Sequence, residues 1–76
     1  MLNSPIQIRA ARALLGWNQL ELSAKSGVAI ATIRRQESAE EFSCTVAIMH
    51  KLQRTLEGAG IEFLNHGRPG VRLTKS

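Results

Sequence analysis

The side chains best placed to do chemistry here are two adjacent arginines, Arg34 and Arg35, in the stretch VAIATIRRQE that runs from Val28 to Glu37. A guanidinium keeps its charge at any ordinary pH and presents a rigid fork of donors. It therefore grips the paired acceptors of a phosphate, or of a guanine edge, in bidentate fashion. Such chemistry is recognition, not bond-making. The sequence shows no nucleophile with a partnered base, no paired carboxylates suited to acid–base work and no phosphate-cradling glycine loop, so no enzyme is expected. Cys44 is the single cysteine; near a predicted helix start it reads as a buried or semi-buried thiol before it reads as a redox sensor. His50 and His66 have no cysteine or carboxylate cluster at ligand spacing, so both read as surface residues and no metal is expected. Neither a cofactor nor a small-molecule effector is evident.

The elements that must position the arginines can be read from punctuation and period. Ser4-Pro5 signals a helix start, since Ser can cap free backbone donors and Pro fits the first helical position. A helix over about 5–15 follows, with Ile6, Ala10, Ala13, Leu14 and Trp17 as its apolar stripe and Gln7, Arg9 and Arg12 off it. Gly16 ends it. Asn18 with Glu21 three residues later makes a capping box for a short second helix, about 19–26, which Gly27 closes. A third helix runs over about 30–38. Residues 38–43 read as a loop, and a fourth helix covers about 44–57 with Val46, Met49, Leu52 and Leu56 on one face. Gly58 and Gly60 stop it. From there the period becomes two. Pairing Leu64 with Gly70 sets Phe63 opposite Val71, Ile61 opposite Leu73 and Glu62 opposite Arg72, which predicts a hairpin over about 61–74. A lone two-stranded hairpin is marginal in water. Its Ile61, Phe63, Val71 and Leu73 face must therefore cover the last helix or meet a second copy, and these four residues are the expected dimer interface. The fold class is mainly α: one compact four-helix domain over residues 1–76, followed by a C-terminal β-hairpin.

Two short helices joined through a glycine-centred turn form a helix-turn-helix, in which the second helix lays its N-terminal residues in the major groove of DNA. Helical spacing turns Val28 and Ile33 inward and Ile30, Ala31, Arg34 and Arg35 outward. Short apolar groups at the front of such a helix allow close approach and contact with thymine methyls. Arg35, one turn later, reaches a guanine edge or a phosphate. Ile30, Ala31, Arg34 and Arg35 are thus the candidate base contacts, with phosphate as the better target for Arg34. Arg9 reads evenly as a phosphate contact or a plain surface residue. Trp17 reads as core.

The stretch RALLGWNQLELSAKSGVAIATIRRQE, Arg12 to Glu37, resembles the DNA-binding core of the phage repressor and Cro type, also called XRE-type. The close resemblance covers about a third of the chain; the flanking helices extend it loosely to about residue 57, and the hairpin is an addition. It implies that Gln19 and the backbone at the start of the second helix clamp a phosphate, with Asn18 and Thr32 as neighbouring phosphate contacts. It also implies that Arg12 and Glu37 form a partly buried ion pair, and that Ile30, Ala31 and Arg35 face the bases. Departures concern the core and the loop. Ala29 stands where the family caps the third helix with Ser or Thr, a loss of about 1 kcal/mol. Ser23, Ser26 and Gln36 make the interior more polar than usual, and Glu40 and Glu41 follow the recognition helix near a second phosphate contact.

Composition agrees with a small DNA-binding domain. The 76 residues are 43% hydrophobic and 21% charged, enough apolar material for a packed core and too little charge for a disordered chain. Ten Lys and Arg outnumber six Asp and Glu, for a net charge of +4. The excess lies in residues 1–37, where Arg9, Arg12, Lys25, Arg34 and Arg35 face only Glu21 and Glu37, and in the tail with Arg68, Arg72 and Lys75. A polyanionic partner is favoured. No apolar run approaches the roughly 20 residues that span a bilayer. With no signal-peptide pattern at the start, the expected location is a prokaryotic-type cytoplasm, at the nucleoid when bound. The expected function is a sequence-specific double-stranded DNA-binding transcriptional regulator acting as a homodimer. The alternative is a protein-interaction module, antitoxin-like or regulator-binding, that holds a protein partner through the Glu40-Glu41 loop and the hairpin.

Overall fold

A computed structural model describes residues 2, 4–39, 43–65 and 67–74. Helix α1 (Pro5–Leu15) begins as Ser4-Pro5 predicts, and Gln7 at its third position reaches back to accept a hydrogen bond from the Ser4 N–H at 3.1 Å. It ends at Gly16, whose φ of +72° lies in the left-handed region where a side chain is strained. Helix α2 (Gln19–Ser26) carries the full predicted capping box: Asn18 Oδ1 accepts from Glu21 N–H at 2.7 Å, and Glu21 Oε1 accepts from Asn18 N–H at 3.2 Å. Gly27, at φ +75°, turns the chain through Val28 and Ala29 into α3 (Ile30–Glu37). That helix stops one residue short of the expected end, and Ala29 gives it no side-chain cap.

Helix α4 (Val46–Gly58) starts two residues later than the pattern suggested, because Thr45 caps it by accepting from Ile48 N–H. The hairpin of β1 (Ile61–Leu64) and β2 (Gly70–Leu73) has the predicted register throughout, Leu64 with Gly70 to Ile61 with Leu73. Glu62 and Arg72 form the expected ion pair on its exposed face. Mainly α, with four helices and a C-terminal hairpin, is the architecture observed.

Every helix and β1 send side chains into one core, centred on Ile8, Leu22, Ile33, Leu52 and Leu56, with Ile61 and Phe63 closing it from the hairpin. Trp17 is half-buried against this core, and the Lys25 ammonium lies 5.2 Å from its ring centre. Two expected faces are corrected. On α1 the inward residues are Gln7, Ile8 and Ala11, while Ile6 is 61% and Leu14 45% exposed and Ala13 lies at the surface. This helix has apolar residues on both sides, so its period alone does not choose the buried one. The hairpin chooses. Gln7 Nε2 donates to the Gly70 carbonyl at 3.0 Å and lies within 3.4 Å of the Leu64 carbonyl and 3.3 Å of Asn65 Oδ1, which satisfies an amide that would otherwise be costly to bury. On α4, Val46 is 67% exposed because it occupies the first turn, beyond the edge of the core, and Ile48 packs in its place.

The interface expected on the hairpin is corrected too. Ile61 and Phe63 are buried within the protein itself, Val71 is half-buried against the same core, and of the four only Leu73 remains exposed. The strands lie over α1 as well as α4, so the last helix alone is not what they cover. Ser23, Ser26 and Gln36, which make the interior more polar, are each paired. Ser23 Oγ donates to the Val28 carbonyl at 2.7 Å, Ser26 Oγ accepts from Val28 N–H, and the fully buried Gln36 exchanges two hydrogen bonds with Ser43 across the loop to α4. Glu40 and Glu41 lie outside the described residues, as does His66; His50 is exposed on α4 and Cys44 is half-buried.

Candidate functional site

Outward from the core, α3 presents the side that its spacing predicts. Ala31, Arg34 and Arg35 are exposed, Ile30 and Thr32 half-buried, and Val28 and Ile33 buried beneath them. The exposed residues recur one turn apart, so the face is a narrow strip of small, apolar and cationic groups with no acid on it.

What holds that strip at a fixed angle is the predicted ion pair. Arg12 on α1 meets Glu37 at the end of α3 with both forks engaged: Nε to Oε2 at 2.7 Å and Nη2 to Oε1 at 2.6 Å. Its remaining Nη1 donates to the Trp17 carbonyl at 3.1 Å. The Glu37 side chain is 4% exposed and that of Arg12 17%, so the pair is shielded from water. The hydrogen bond that Arg12 donates to Glu37, helped by the carboxylate's charge and opposed by burial, raises the Arg12 pKa above its ordinary value. A base whose pKa rises on folding stabilises the fold fully below its unfolded pKa and loses that contribution only as pH climbs through the folded value. For arginine that window lies in strong alkali, so Arg12 stays charged throughout the neutral range. One guanidinium thus ties α1, the turn before α2 and α3 together.

Gln19, at the first position of α2, joins the same assembly. Its Nε2 donates to Glu37 Oε1 at 3.2 Å, and its Oε1 accepts from Arg34 Nε at 3.2 Å. Asn18 is exposed and its Oδ1 is engaged in capping α2, so its side chain acts first in the fold. Arg9, Arg12, Gln19, Arg34, Glu37 and Ser38 line one open depression of about 250 Å³ at the junction of α1, α2 and α3. Arg9 is exposed, and neither it nor Arg35 has a carboxylate partner among the described residues.

The structure therefore brings Arg9, Gln19 and Arg34 together on one rim and sets Ile30, Ala31 and Arg35 along the adjoining strip. Sequence reasoning missed the bond that Arg34 donates to Gln19, which joins residues 15 apart, and the place of Ser38 in the depression. It also missed the burial of Gln7, which no local signal gives, because the acceptors of its amide lie on the hairpin. Comparison of the chain with models of known protein families, with curated proteins and with solved structures finds no match.

Proposed function

We propose that the protein is a helix-turn-helix regulator of the phage-repressor type that binds double-stranded DNA with sequence preference. The observation that carries this reading is an exposed, acid-free strip on α3, Ala31, Arg34 and Arg35 beside Ile30, held rigidly by the buried Arg12–Glu37 pair. Ile30 and Ala31 meet thymine methyls, arginine meets a guanine edge, and the start of α2 at Gln19, with Asn18 and Thr32 nearby, faces the flanking backbone. The α2 N-terminus adds its positive dipole end to that backbone contact. Binding, with no catalytic step, is the whole activity in this reading, and a cytoplasmic site at the nucleoid goes with it. Among the described residues no helix is long and apolar enough to cross a membrane.

Two copies act together. The longest dimension of the described chain is 27 Å, whereas successive major-groove faces on one side of a duplex lie roughly 34 Å apart. One copy reaches one groove, and one short recognition helix makes too few contacts for tight specific binding. Of the two surfaces the protein-interaction alternative relied on, the hairpin turns its apolar Ile61 and Phe63 inward, and the Glu40-Glu41 loop lies outside the described residues.

Selection of bound duplexes from a random pool tests the proposal. Enrichment of a two-fold symmetric site with half-sites about one helical turn apart is the expected outcome. A pool that stays random after repeated rounds with folded protein overturns it.

A further inference from the structure

The two adjacent arginines of α3 are held differently, and the difference assigns them different work. Arg34 is tethered through Nε to Gln19 Oε1, while Arg35 makes no side-chain hydrogen bond among the described residues. The tether is the last link of a chain that begins in the core: Arg12 holds Glu37, Glu37 Oε1 accepts from Gln19 Nε2, and Gln19 Oε1 accepts from Arg34. Both polar ends of the Gln19 amide are thus occupied inside the protein. Arg34 uses Nε in that bond and keeps its two terminal amino groups for something else.

Arg34 lines the same depression as Arg9, together with Ser38, whose hydroxyl donates to the Arg34 carbonyl at 2.9 Å. The charge of Arg12 is matched there by Glu37. Arg9 and Arg34 have no carboxylate within ion-pair distance among the described residues, so the depression carries two uncompensated positive charges. We infer that Arg9 and Arg34 together form a receptor for one backbone phosphodiester, with Gln19 as the positioning residue that holds Arg34, and that Arg35 alone of the two arginines reads a base. A tethered guanidinium fixed to the frame of three helices suits a phosphate, whose place is the same for every sequence. A base-reading one must extend into the groove and adapt.

This assignment rests on the DNA-binding proposal, and salt titration separates the two. For a mixed-sequence duplex the logarithm of the binding constant falls linearly with the logarithm of salt, with about 0.9 of slope for each phosphate neutralised. Arg9→Ala and Arg34→Ala, both at exposed positions, each flatten that slope, and the double variant flattens it by about 0.9 in all, because the two arginines share one phosphate. Arg35→Ala lowers discrimination between the selected duplex and the mixed one, by about 5- to 150-fold. Gln19→Leu flattens the slope as Arg34→Ala does, and Arg34→Ala adds nothing further in the Gln19→Leu background. Slopes unchanged in Arg9→Ala and Arg34→Ala while the unmodified chain binds duplex overturn the receptor but leave the DNA reading standing. Additive effects of Gln19→Leu and Arg34→Ala overturn the positioning role, since Gln19 would then touch the phosphate independently. Failure of the unmodified chain to bind any duplex at low salt overturns the DNA reading itself and this assignment with it. Circular dichroism of each variant confirms that the helices are retained.

Discussion

Arg12→Ala is expected to cost about 3–5 kcal/mol of folding stability, because it leaves the Glu37 carboxylate buried without its ion partner. The geometry makes the loss large. Glu37 is enclosed on all but a few per cent of its surface and receives two of its three side-chain hydrogen bonds from Arg12; the third, from Gln19, is neutral and longer. Removing Arg12 also strips the Trp17 carbonyl of its donor. A chain of this size has a total stability of roughly 5–10 kcal/mol, so the variant stands near its unfolding threshold at room temperature. The double variant Arg12→Met/Glu37→Leu is expected to recover more than half of the loss, since replacing both members of a buried pair with apolar groups removes the stranded charge. Urea denaturation followed by far-ultraviolet circular dichroism measures both. A loss under about 1 kcal/mol for Arg12→Ala would mean that water reaches the pair and that it does not brace α3.

Phe63→Ala is expected to destabilise by a similar amount, about 3–5 kcal/mol, through lost burial and the cavity left behind. Phe63 is 7% exposed on β1, inside a core shared with Leu52, Leu56 and Ile8, so the hairpin is part of what keeps the helices in place. The alternative placement of this side chain, at a contact between two copies, predicts a different signature. There the effect would grow as the protein is diluted, because assembly and folding would be linked. A midpoint shift in urea that is the same at one and at one hundred times the protein concentration agrees with burial inside one chain, and a concentration-dependent shift contradicts it.

Local chemistry made much of this fold legible from residues alone. Helix starts at Ser4-Pro5 and Asn18, the left-handed stops at Gly16 and Gly27, and the complete hairpin register follow from capping, glycine conformation and period-two patterning. What failed were the choices made by distant partners. The sequence of α1 offers two apolar sides, and the one that is buried is decided by carbonyls at Leu64 and Gly70, more than fifty residues away, which accept the Gln7 amide. The inward turn of Ile61 and Phe63 is decided the same way, by where α1 and α4 leave room. Within the site, the Arg12–Glu37 pair and the outward strip of α3 were readable, the first through resemblance and the second through spacing. The Gln19–Arg34 bond was not, because it depends on the angle at which two helices meet across Gly27.

Anisotropy of a labelled mixed-sequence duplex, titrated with the unmodified protein at several salt concentrations, decides whether the α3 surface binds DNA. Saturable binding is expected at low salt, with a logarithmic constant that falls linearly with the logarithm of salt, as displaced counterions require. Unchanged anisotropy at the lowest salt and at high micromolar protein, with the helical spectrum intact, would contradict it.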